Sequence, residues 1–347
     1  MKNQRTLRIE WLALLTALCW GSGSFFGKRA MKIGYLSPLV GILLRTTLSL
    51  ILFLFLLLIF GKKLGANLRK EVSNAWRTSK WGLFQIIIFE GILAGGIGMF
   101  LYYLAISGGE LSLVMPLAFL SPFWGTLLAL LFKDERPTYQ RISGLLLTFI
   151  GILIISSRVL SFQEIFTWRI EYVALLTGIC WGIGSFFGKR GMKKASITPF
   201  VGITLRTATS SIILLVTIFS FGPSLLDSHL LTELHWILTN KLEQFFLILL
   251  FEGILAGFLG MLLYYIAIKK GELSLVMPLA FTSPFWGTFL SLVWGIEIFT
   301  IQRLVGMFFI LTGIIFTTAP ALTQLVRMEN SFKLVTPILR KNSTKKE

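Results

Sequence analysis

The sequence predicts an all-α polytopic membrane protein: ten transmembrane helices in two inverted five-helix repeats. Three observations predict it. The 347 residues are 55% hydrophobic and only 14% charged, with a mean hydropathy of +0.79, whereas a soluble domain carries about 25% charged residues. The apolar residues gather into ten runs near the ~20 residues that cross a bilayer core. The second half of the chain also restates the first. Aligning 11–50 with 172–211 gives 24 identities in 40, and 90–135 with 252–297 gives 33 in 46.

The first run, about 10–28, follows Lys2, Arg5 and Arg8 as a signal peptide would. It is read as a retained helix, because ALLTALCWGSGSFFGKRAMK (13–32) returns as ALLTGICWGIGSFFGKRGMK (174–193), where no signal can be cleaved. The second run, 37–60, opens at Pro38 and carries Arg45; the third, 81–106, carries Glu90. The fourth, 110–132, holds GELSLVMPLAFLSPFWGT (109–126), which returns at 271–288 with one change in 18. The fifth, 141–157, closes a first repeat spanning 1–157, and 158–170 reads as a linker. Runs at 171–188, 197–221, 243–268, 272–294 and 303–320 form the second repeat, 171–320, followed by a basic cytoplasmic tail, 321–347. These runs are too long, and alternate too little, for a barrel. Five is odd, so the second copy enters the membrane from the opposite side. Inverted repeats of this kind place a binding site at their interface near the midplane.

The net charge of +17 is the balance of many nucleic-acid binders, but here its placement records orientation. With the N-terminus inside, 24 of the 33 Lys and Arg residues fall in segments on the inner side. The positive-inside rule then gives N-in and C-in, in the cell membrane, with anionic lipids as partners at the cytoplasmic face and no nucleic acid. The violation is Lys28, Arg29 and Lys32, placed in an outer loop after the first helix. Monomer and homodimer both stay open.

Several chemistries are excluded. Cys19 and Cys180 lie in apolar runs and read as packing; His229 and His235 fall in a polar loop without the spacing of a metal pair; Asp134 and Asp227 lie in loops. The chain has no phosphate loop, HExxH or GxSxG. Neither metal nor cofactor is expected, and no catalytic residue is assigned.

Charge inside a membrane is costly and usually paired or functional. Four such residues form two repeat-related sets, Arg45 with Arg206 and Glu90 with Glu252. At ~1.5 Å per residue, Arg45 and Glu252 both lie roughly 12–13 Å in from the outer side. This suggests crossed pairs, Arg45–Glu252 and Arg206–Glu90, although pairing within a repeat is also within an arginine's reach. They either pin the bundle or couple transport to protons or an anionic substrate.

Thr16, Trp20, Ser24 and Lys28, and again Thr177, Trp181, Ser185 and Lys189, recur at i, i+4 on one helix face. Trp20, Ser24, Trp181 and Ser185 are therefore pocket candidates, while Lys28 and Lys189 read as snorkelling ends. Gly91, Ala94, Gly95 and Gly98, copied at Gly253, Ala256, Gly257 and Gly260, allow close packing. The tyrosines after them, Tyr102–Tyr103 and Tyr264–Tyr265, sit near opposite interfaces; one of each pair is read as belt, and Tyr102 and Tyr264 as gate candidates. Pro116 and Pro122, copied as Pro278 and Pro284, kink the fourth helices. Ser112, Pro116, Phe119, Ser274, Pro278 and Phe281 complete the expected pocket.

These motifs make the chain resemble the EamA-type transporters of the drug/metabolite transporter superfamily over about 10–320. The resemblance rests on Pro38…Arg45 and Pro199…Arg206, on Pro122 followed by Glu135, Gln140, Gly144 and Gly151, on Pro284 followed by Glu297, Gln302, Gly306 and Gly313, and on WGSGSFF and WGIGSFF. It implies ten helices in two repeats and transport of a small organic molecule, since members move amino acids, nucleotide-sugar relatives, drugs and other metabolites. Glu90, Glu252 and the high identity between copies depart from the usual pattern. The reading is a secondary transporter, an exporter, with a channel-like facilitator or an integral-membrane enzyme as alternatives.

Overall fold

The computed structural model describes residues 3–134, 138–156, 170–225, 227–271, 273–296, 300–302, 304–313 and 315–316. Residues 158–169 of the expected linker, the tail, Glu135 and Glu297 lie outside these residues, and Ile170 opens the next helix. The described residues are helical and contain no strand. In the first repeat the helices are α1 (Asn3–Gly34), α2 (Pro38–Leu64), the short α3 (Leu68–Thr78) and α4 (Lys80–Gly108), followed by α5 (Leu111–Ala118), α6 (Ser121–Leu131) and α7 (Tyr139–Ser156). In the second they are α8 (Ile170–Lys194), α9 (Pro199–Leu225), α10 (Leu230–Asn240), α11 (Leu242–Lys270), α12 (Leu273–Ala280), α13 (Ser283–Val293) and α14 (Leu304–Gly313).

Among the described residues, seven helical segments are long and apolar enough to cross a membrane: α1, α2, α4, α5 with α6, α8, α9 and α11. The chain is thus a multi-pass membrane protein, with seven of the ten expected crossings visible at full length. The expected ninth is divided between α12 and α13, and α14 covers only ten residues of the expected tenth.

Four features, two in each repeat, correct the sequence reading. The first helix runs on to Gly34, and its copy to Lys194, so Lys28, Arg29 and Lys32 lie in helical turns and not in a loop. The polar segments after α2 and α9 fold into α3 and α10. His229 is accordingly the N-cap residue of α10, and His235 lies inside that helix. Amphipathic segments of 11 residues are too short to span, so a search for apolar runs passes over them.

Local chemistry sets the helix ends. Tyr35 and its copy Ser196 adopt left-handed backbone, at φ 53° and 52°, turning the chain after α1 and α8. Ser37 then caps α2, its hydroxyl accepting from the Val40 amide ahead of Pro38 at the first helical position. Within α4 and α11 the backbone widens into π-helical turns over Gln85–Gly98 and Ile248–Gly260. Such turns are rare and gather at functional sites; here they contain Glu90 and Glu252.

The repeats interlock. α4 packs on α8 and α9 of the other repeat, and α11 packs on α1 and α2. The small residues make this approach possible. A methyl at Gly91 would meet Thr209, one at Gly184 would meet Ala94, and one at Gly253 would meet Leu48. Ser49 and Ser210 each donate across the interface, to the carbonyls of Gly253 and Gly91, both at 3.0 Å.

Candidate functional site

The interlocking brings the buried charges together across the repeats. Arg45 Nε lies 3.0 Å from Glu252 Oε2, and Arg206 Nε lies 3.4 Å from Glu90 Oε2. Each side chain is at most 7% exposed. The pairing runs between repeats because α2 lies along α11, and α9 along α4. Glycines leave room for the carboxylates. A Cβ at Gly27 would stand 2.5 Å from Glu252 Oε1, and one at Gly188 would fall on the Glu90 side chain.

The pairs form part of the wall of a central cavity. Sixteen residues line it: Trp20, Ser24, Arg45, Glu90, Ala94, Met99, Tyr102 and Phe119 from the first repeat, and Trp181, Ser185, Arg206, Glu252, Ala256, Met261, Tyr264 and Phe281 from the second. They are eight repeat-related pairs of identical residue type, so the two halves offer the same surface. Free space within is about 50 Å³, room for a few water molecules at ~10–15 Å³ for each.

The aromatic residues interlace across the halves. The Trp20 ring centre lies 5.1 Å from those of both Tyr264 and Phe281. The Trp181 ring lies 5.0 Å from Tyr102 and 5.1 Å from Phe119. Phe119 stands in the break between α5 and α6, and Phe281 in that between α12 and α13, where Pro122 and Pro284, in the first turn of the second piece, have no N–H to continue the first. The Tyr102 hydroxyl donates to Ser24 Oγ at 2.6 Å and the Tyr264 hydroxyl to Ser185 Oγ at 2.9 Å.

Trp20, Ser24, Trp181, Ser185, Phe119, Phe281, Tyr102 and Tyr264 therefore meet at one cavity with the four charged residues. Ser112 and Pro116 do not. Both are buried in α5 but lie before the break that turns Phe119 to the cavity. The side chains of Ser274 and Pro278 lie outside the described residues. The expected belt tyrosine is absent: Tyr102, Tyr103, Tyr264 and Tyr265 are all at most 2% exposed, because this face of α4 and α11 meets other helices of both repeats instead of lipid. Nor do Lys28 and Lys189 simply snorkel. They donate to the carbonyls of Gly109 and Gly271, at 2.6 and 2.9 Å, capping the negative ends of α4 and α11.

Sequence reasoning missed Met99 and Met261, the first residues after the repeated glycines, and the roles of Glu71 and Glu233. Glu233 on α10 accepts from the Ser37 amide at 2.7 Å, and Glu71 on α3 accepts from the Thr198 amide at 2.7 Å. Each carboxylate thus satisfies the N-terminus of the second helix of the other repeat. The usable signal was that Glu71 and Glu233 correspond within segments that otherwise differ.

Two interlocked helical repeats around a shared central cavity define a multi-pass membrane transporter. The comparisons give its family: the EamA-like transporter family matches residues 7–157 and again 168–319, and the chain belongs to that family. It is 24% identical over 306 residues to an uncharacterized transporter of Archaeoglobus fulgidus, covering 88% of this chain and 97% of that one. It is 30% identical over 145 residues to an uncharacterized protein of Methanocaldococcus jannaschii, 42% of this chain and 93% of that one; the matched length is about one repeat. A crystal structure shares the fold with a TM-score of 0.60 at 17% identity, covering 90% of this chain and 96% of that one.

Proposed function

We propose that the chain is a secondary transporter that exports a small organic metabolite by alternating access, through ten crossings of the cell membrane with both termini inside. The observation that carries this reading is the composition of the cavity wall. Eight residues appear twice, once from each inverted repeat, so exchanging the conformations of the repeats presents the same wall to the opposite side. The small free volume favours a carrier over a facilitator, since a metabolite enters only when the halves part.

Glu90 and Glu252 then act in the cycle as well as in the bundle: the crossed pairs break and re-form as the halves move. Anionic lipids at the cytoplasmic face hold the basic segments. The test is transport by the purified protein in proteoliposomes loaded with a metabolite mixture. Saturable uptake with counterflow is expected, and Glu90→Gln and Glu252→Gln should each slow it at least tenfold or shift its pH profile. Flux without saturation or counterflow would overturn the carrier reading. Full activity with an unchanged pH profile in both variants would remove the glutamates from the cycle.

A further inference from the structure

We infer that the molecule carried is an organic carboxylate with a flat apolar body. This rests on the central cavity being the transport site. Its first support is the kind of polar atom left without a hydrogen bond there. Among the described lining residues, the buried polar atoms that neither a hydrogen bond nor an ion pair engages are Trp20 Nε1 and Trp181 Nε1. Both are N–H donors. Both tryptophans are only 8% exposed, and an indole nitrogen can donate but not accept. Each arginine faces its glutamate, yet a guanidinium has five N–H donors in a fixed fork, and the carboxylate engages only part of it.

The lining acceptors, by contrast, are engaged: Glu90 and Glu252 by arginine, and the Ser24 and Ser185 hydroxyls by tyrosine. A site with surplus donors and satisfied acceptors suits a ligand that brings acceptors. A carboxylate does so with two oxygens, enough for both indoles. An ammonium group would leave both indole donors unmet, at about 1–3 kcal/mol each, and would have to compete with the arginines for Glu90 and Glu252. The aromatic rings that line the rest of the cavity suit a flat apolar body.

The approaches give independent support. About 12 Å along α1 from Trp20, an outer pocket is lined by Lys28, Arg29 and Lys32, with Glu110 as its acidic residue. The repeat-related inner pocket is lined by Lys189, Arg190, Lys193 and Lys194, with Asp134, which pairs with Arg190 at 3.0 Å. Both pockets are therefore net basic, and the outer one is so against the positive-inside rule. Basic clefts raise the local concentration of anions, and a carrier of anions gains from this on both faces.

The test compares three molecules with one body and different heads: 3-phenylpropionate, 3-phenylpropionamide and 3-phenylpropylamine. Binding to the full-length purified protein is read by tryptophan fluorescence and thermal shift. The acid is expected to bind at least tenfold more tightly than the amine, and Trp20→Phe with Trp181→Phe should weaken it at least tenfold while the amine is unaffected. The head-group series needs no variant, so it stands even if the substituted protein folds poorly. Equal or tighter binding of the amine overturns the inference while leaving the cavity as the transport site. So does binding of the acid that ignores both tryptophan substitutions. Failure of all three to bind also overturns it, and the counterflow assay then judges the transporter reading separately.

Discussion

Arg45 and Glu252 stand 207 positions apart in the chain, yet Nε and Oε2 are 3.0 Å apart in the protein's interior. The contact ties the second helix of one repeat to the third of the other, and Arg206 with Glu90 repeats it in the opposite sense at 3.4 Å. Buried pairs of this kind are poor net stabilisers, but removing one partner strands a charge.

Arg45→Ala alone is expected to cost about 3 kcal/mol or more by leaving Glu252 unpaired. Arg45→Ala combined with Glu252→Gln should cost less than that single change. Thermal unfolding in detergent across the four members of the cycle measures the coupling. Strict additivity would show that the two side chains do not depend on each other.

Gly27 and Gly188 exist to admit the carboxylates. Gly27→Ala places a methyl 2.5 Å from Glu252 Oε1 and is expected to cost about 1–3 kcal/mol through overpacking, with transport falling at least tenfold. Gly188→Ala should behave alike. Unfolding temperature and initial transport rates check this; wild-type values in both variants would mean the wall is softer than described.

The Tyr102–Ser24 bond, 2.6 Å between oxygens, lies wholly inside the first repeat. Tyr102→Phe should lose about 1 kcal/mol, and adding Ser24→Ala should cost little more, since the bond is already gone. Tyr264→Phe with Ser185→Ala should match it. A full second loss in the double variants, measured by denaturant or heat, would contradict a shared bond.

Glu233 and Glu71 join the repeats at opposite ends, each on a helix N-terminus. With Ser24→Cys placed in the cavity wall, Glu233→Ala should raise its labelling by a thiol reagent added to one face, and Glu71→Ala its labelling from the other. Each change should lower stability by about 1 kcal/mol. Equal effects on both sides from either variant would rule out separate closures.

The repeats and the crossed charges were legible because identity between the copies and depth arithmetic both act along the chain. Trp20 and Ser24 were legible because helical periodicity puts them on one face. Glu71 and Glu233 were not, since their partners are backbone amides of Ser37 and Thr198 more than a hundred residues away, and an amide carries no sequence signature. The tyrosines misled for a related reason. Position near a helix end suggests a belt, but whether a face meets lipid or protein is decided by packing among helices distant in the chain. Ser112 and Pro116 were drawn into the pocket by nearness in sequence to Phe119, which the helix break alone turns inward.

The account stands on a cavity reached from each side in turn. With Cys19 and Cys180 replaced by alanine, Ser24→Cys and Ser185→Cys can be labelled by a membrane-impermeant thiol reagent added to one face of oriented vesicles. The prediction is that each cysteine reacts from either face, and that Glu233→Ala speeds outer labelling while slowing inner labelling of the same residue. Reaction from one face only, or a faster rate from both faces at once in that variant, would contradict alternating access.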